Sequence, residues 1–177
     1  MKHRVIRVFI TALIIIISFV LQSELSLANF EIVATPNFLL FTTCIFGFMK
    51  GCNYGSLTGL VCGLLVDIFF GDVIGLYALL YMYIGFFSGL FKKMFYSDHV
   101  FMPMVLVFIS DFIYNVLLYV FRFLLRNKLD FSFYFEKIIL PEMIITTFVA
   151  FILYKLFYIL NEKILTIKQE NTLSFDK

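Results

Sequence analysis

The chain of 177 residues is 62% hydrophobic and only 15% charged, and phenylalanine alone supplies 25 positions. Soluble domains are about 45–50% apolar and roughly 25% charged, so a soluble fold of this size would have to carry much of its apolar surface in water. The composition excludes that and indicates an integral membrane protein with one compact domain, and the net charge of +2 gives no reason to expect a nucleic-acid partner.

The apolar runs are long and continuous. A membrane β-barrel would show alternation over about 10 residues, whereas a helix needs about 20 apolar residues to cross a core of about 30 Å. Runs at about 5–21, 36–50, 54–71, 73–91, 100–125 and 138–160 predict six transmembrane helices in a single domain over 1–162. A polar tail over 163–177 follows, placed in the cytoplasm.

The first span follows Lys2, Arg4 and Arg7. This basic start, with Ser26-Leu27-Ala28 after the apolar stretch, also has the form of a cleavable signal peptide. Six retained spans distribute the charge better. The segment 22–35 holds Gln22, Glu24, Asn29 and Glu31, a place for a short interfacial helix. The second span is short and opens after Pro36, and a break is expected between Lys50 and Tyr54. Lys50, Lys92, Lys93, Lys163, Lys168 and Lys177 fall on the N-terminal side if six spans alternate. The positive-inside tendency then places both termini in the cytoplasm. The loop 122–137, with Arg122, Arg126, Lys128 and Lys137, runs against that tendency without reversing it.

All nine glycines lie between Gly47 and Gly89. Gly47, Gly51, Gly55, Gly59 and Gly63 run in steps of four, followed by Asp67 and Gly71; Gly75, Gly85 and Gly89 complete the set. Each four-residue step drifts by about 40° around a helix, so the first five cannot share one face of one straight helix. The break near Lys50 leaves Gly55, Gly59 and Gly63 as one ridge, with Gly85 and Gly89 as a second. In lipid, small residues four apart allow backbones to approach closely. The glycines therefore read as packing positions between the spans or as a docking face for a partner's helix.

Asp67, Asp111, Asn115 and Glu142 are polar residues inside spans. A charge at mid-bilayer costs about 2.5–3.5 kcal/mol on insertion scales, so such groups face protein or water. Asp67, near the end of its span, is positioned to cap the next helix at residues 72–75. Asp111 and Asn115 share one helical face, and Arg122 is a snorkelling residue at the end of that span. Glu142 follows Pro141, a pair suited to the first turn of the last span.

No catalytic constellation is legible. Asp67 and Asp111 raise the possibility of an intramembrane aspartyl dyad, but Phe70-Gly71-Asp72 is not the Gly-x-Gly-Asp surround of such proteases. No Ser/His pair, phosphate loop or cofactor motif is present. His3 and His99 sit at segment ends, and Cys44, Cys52 and Cys62 are odd in number and inside apolar runs. They read as packing residues, with no disulfide framework and no metal set.

Pro36-Asn37-Phe38-Leu39-Leu40, the block Gly59-Leu60 to Gly63-Leu64-Leu65-Val66-Asp67-Ile68-Phe69-Phe70-Gly71, Gly75-Leu76-Tyr77-Ala78-Leu79 and Tyr83-Ile84-Gly85 through Gly89 together resemble the rod shape-determining membrane protein MreD family. Leu140-Pro141-Glu142 at the start of the last span also fits. The resemblance implies a non-enzymatic scaffold of the bacterial elongation machinery that works with MreC and, through it, with MreB, RodA and a class B penicillin-binding protein. It implies a fold similar to the S components of energy-coupling-factor vitamin transporters, which supply the rival reading. Those carry alanine motifs on the first span for their energising partner. Here that span has only Ala12, and the glycines lie on spans two to four.

Overall fold

The computed structural model describes residues 2–27, 35–71, 73–94, 101–123 and 134–154. Among them the chain forms six helices and no strand. These are α1 (Lys2–Leu27), α2 (Phe38–Lys50), α3 (Cys52–Phe70), α4 (Leu76–Met94), α5 (Phe101–Phe123) and α6 (Phe135–Tyr154). Four of them, α1, α3, α5 and α6, are long and apolar enough to cross a membrane; α2 and α4 give shorter apolar stretches.

Helix α2 explains its own position. It is apolar on every side, and a helix of that kind belongs inside a larger structure. Leu39, Leu40, Cys44 and Ile45 are wholly inaccessible. Its neighbours are α1, α3, α4 and α5. Its 13 residues rise only about 20 Å, less than the hydrocarbon thickness, so α2 is an internal post and both its ends must be satisfied by protein. Tyr81 of α4, Val107 of α5 and Ala150 of α6 belong to the same core cluster.

Outward faces carry large apolar side chains, among them Phe9, Leu57, Ile68, Phe69 and Phe148. In water such a surface would aggregate; around a membrane bundle it is the lipid face. Helix α1 is the most peripheral, with 17% of its apolar window buried against 44% for that of α5.

Two expectations change. The polar residues Gln22 and Glu24 lie on α1 itself, which stays helical to Leu27, because Gln22 bonds to the start of α2. The rest of the expected interfacial segment, 28–34, lies outside the described residues. The last helix does not begin at Pro141: it is already helical at Phe135, and Phe135–Ile139 form a wide π-turn, with the Leu140 amide bonded to the Phe135 carbonyl. A proline removes one amide donor and crowds the preceding turn, and the wide turn lies immediately before it. Glu142 therefore does not complement a helix N-terminus. The acidic residue in the first turn is Glu136. Residues 124–133 of the expected loop, the side chain of Arg122 and residues 163–177 of the expected tail lie outside the described residues.

Candidate functional site

Three polar residues of the bundle, Gln22, Asn37 and Asp67, satisfy helix ends that start within it. A helix N-terminus leaves four amides without internal partners. At α2, the Asn37 side chain accepts from Leu40 N at 3.1 Å, and the Phe41 amide donates to the Asn37 carbonyl at 3.1 Å. The Leu39 amide donates to Gln22 Oε1 of α1 at 3.1 Å. Asn37 Oδ1 also accepts from the Tyr81 hydroxyl of α4 at 2.8 Å, and Asn37 N donates to Thr146 of α6 at 3.1 Å. One asparagine thus ties α2, α4 and α6 together. At the other end of α2, Lys92 Nζ donates to the Met49 carbonyl at 2.6 Å. Lys50 donates to Thr11 at 3.2 Å and lies over the rings of Phe46 and Tyr54. Cations at a helix C-terminus complement its dipole.

Asp67 performs the same task for α4. Its Oδ1 accepts from Tyr77 N at 3.0 Å and its Oδ2 from Ala78 N at 2.9 Å. The residue is 1% exposed. Gly75, just before α4, has φ +103°, a region that disfavours side chains. It has no side chain with which to cap α4, and the carboxylate comes from the preceding helix instead.

The glycines divide into three kinds. The ridge of α3 lies directly on α4, backbone to backbone. A Cβ on Gly55 would strike the Gly85 carbonyl, one on Gly59 the Tyr81 carbonyl, and one on Gly63 the backbone of Tyr77 and Ala78. Gly85 meets Gly55 in return, Gly89 meets Cys52, and Gly47 of α2 meets Gly85 and Ser88. Each four-residue step up α3 is matched by a step back along α4, and the column ends at Asp67. In this fold the ridge of α3 and the glycines of α4 face each other. Gly51 and Gly75 are not packing positions: a Cβ at either meets nothing within 4 Å, and both have positive φ. Gly51 (φ 102°, ψ 176°) breaks the chain between α2 and α3. Gly71 terminates α3, its amide bonded to the Asp67 carbonyl at 3.1 Å.

Asp111 and Asn115 do share a face of α5, and Asn115 Nδ2 donates to the Asp111 carbonyl at 3.1 Å. Asp111 is 0% exposed; its carboxylate oxygens make no hydrogen bond of ordinary geometry among the described residues, and the Thr146 side chain of α6 lies beside them. Glu142 and Asn115 line a cavity of about 290 Å³ together with Gln22, Thr35, Tyr77, Tyr114 and Tyr134. Cys44, Cys52 and Cys62 are free, the first and last buried. No metal-ligating cluster occurs among the described residues.

The sequence reading missed Asn37, Gln22, Tyr81 and Thr146. The signal for Asn37 was available, since an asparagine immediately before an apolar helical run is an N-cap signature. The other three become visible only when their helices are brought together.

A family model for the rod shape-determining protein MreD matches residues 2–164. The chain belongs to the MreD family. No curated protein and no solved structure matches it. The match spans all six helices and every anchor described above, so the MreD assignment concerns the whole bundle. As an MreD-family member the chain is a multi-pass membrane protein with a role in rod-shape determination.

Proposed function

We propose that the chain is a non-enzymatic scaffold of the bacterial cell-elongation machinery that maintains rod shape by binding MreC and helping to organise peptidoglycan synthesis. Through MreC it acts with MreB, RodA and a class B penicillin-binding protein. It resides in the cytoplasmic membrane with both termini in the cytoplasm. The family match over residues 2–164 carries this reading. Two features support it. Asn37 and Asp67 hold helix ends in place, which suits a rigid support. Lys50 bonds to Thr11 in the first half of α1, and Lys92 bonds to the end of α2, so both lysines lie toward the N-terminal end of the bundle, in keeping with the positive-inside tendency.

The test is affinity capture of the tagged chain from gently solubilised native membranes, with mass spectrometry of what accompanies it. Recovery of MreC with elongation proteins is the expected result. Recovery of an energy-coupling transmembrane subunit with its ATPases would overturn the scaffold reading in favour of an S component.

A further inference from the structure

The cavity beside Glu142 adjoins the anchors: Gln22, which holds the Leu39 amide, and Tyr77, whose amide Asp67 accepts, are both in its wall. Its lining comes from the same end of each element: Gln22 late in α1, Thr35 before α2, Phe70 at the end of α3, Tyr77 at the start of α4, Leu118 late in α5, and Tyr134 and Glu142 early in α6. It therefore belongs to the end of the bundle opposite the N-terminus.

The chemistry of this wall is one-sided. It presents a carboxylate, Glu142, two amide side chains and the three tyrosines Tyr77, Tyr114 and Tyr134, with no Lys, Arg or His among the described lining residues. Asn115 faces Glu142, and Asp111, one turn before Asn115, adds a second carboxyl within electrostatic reach. Glu142 does not cap a helix, and it has no basic partner among the described residues of the wall. Carboxylate and aromatic faces together attract organic cations. At about 290 Å³ the cavity is at the lower edge of small-molecule sites, which run about 300–1,000 Å³. That volume suits a small amine or a headgroup.

We propose that this cavity binds a ligand bearing an ammonium group, the Glu142 carboxylate pairing with the cation, Asn115 orienting the carboxylate and the tyrosines surrounding the charge. The ammonium comes from a free small amine or from an amine-bearing lipid headgroup of the adjoining leaflet. The proposal is independent of the identity of the protein partner.

The full chain in nanodiscs provides the test. In one arm, ethanolamine is titrated into phosphatidylglycerol-only discs and thermal unfolding is followed. In the other, discs of mixed phosphatidylethanolamine and phosphatidylglycerol are analysed by native mass spectrometry for retained lipid. A rise in melting temperature with ethanolamine marks a free-amine site. Retention of phosphatidylethanolamine over phosphatidylglycerol by about tenfold marks a headgroup site. Either supports the proposal if Glu142→Gln abolishes it while the ligand-free melting temperature stays put. Tyr134→Leu, at another lining position, should weaken the same signal and serves if Glu142→Gln folds poorly. No response in either arm, or an equal response in Glu142→Gln, overturns the proposal. A copurified protein segment that fills the cavity and leaves both amines without effect overturns it too.

Discussion

The carboxylate of Asp67 accepts the backbone amide of Tyr77 at 3.0 Å, across ten residues and from one helix to the next. With the second bond to Ala78, it makes the α3–α4 turn a closed unit: the helix that ends near Asp67 caps the helix that follows. Replacing Asp67 with Leu orphans two buried amides, each costing about 1–3 kcal/mol, so the variant should lose roughly 2–6 kcal/mol. Asp67→Asn keeps one acceptor and should lose about half. Thermal unfolding in mild detergent reads both. A leucine variant that melts with the parent would show that the carboxylate does not hold the turn.

Backbone contact between α3 and α4 makes a sharp prediction for Gly59. Its Cβ would meet the Tyr81 carbonyl, and main chain cannot rotate aside. Gly59→Val should therefore destabilise by about 1–3 kcal/mol or more. Leu57, two residues away and 63% exposed to the lipid side, should tolerate Ala within about 0.5 kcal/mol. Equal effects at the two positions would refute the packed ridge.

Gly51 separates conformation from space. Nothing lies within 4 Å of a Cβ built there, yet its φ of 102° and ψ of 176° fall in a region that costs other residues about 1–3 kcal/mol. Gly51→Ala should show that loss although it creates no clash. If alanine were neutral there, the α2–α3 break would not require this backbone.

Asn37 and Tyr81 should couple. Asn37→Ala removes the α2 cap and the acceptor of the Tyr81 hydroxyl, a loss of about 1–2 kcal/mol for the cap alone. Tyr81→Phe leaves the cap intact and should cost about 0.5–1.5 kcal/mol. A double-mutant cycle should give an interaction energy above about 0.5 kcal/mol; strict additivity would place the two residues in separate networks.

Asp111 should behave with the opposite sign to Asp67. A buried carboxyl without a hydrogen bond costs stability, and an apolar group of similar size removes that cost. Asp111→Leu should unfold at the same temperature as the parent or higher. If cells carrying it nevertheless lose rod shape, the carboxyl is kept for function at the expense of stability. A lower unfolding temperature would reveal a stabilising partner for the carboxyl.

Six helices were legible in the sequence because their apolar runs can be counted, although only α1, α3, α5 and α6 are long and apolar enough to cross a membrane. The break near Lys50 was legible because five glycines in steps of four cannot share one straight face. Asp67 stood out because a carboxylate in such a run needs a partner. Tertiary structure decided what the one-dimensional pattern leaves open. Hydropathy does not distinguish lipid from protein as surroundings, so only the assembled bundle shows α2 enclosed and α1 peripheral. Small-residue spacing does not say what lies opposite; the fold laid α3 on α4 and left Gly51 and Gly75 to their backbone angles. Pro141 and Glu142 matched a helix start, but the π-turn at Phe135 begins the helix earlier and leaves Glu142 in a cavity wall. A side chain's local signal names what it can do, and the partner supplied by a distant part of the chain decides which of those things it does.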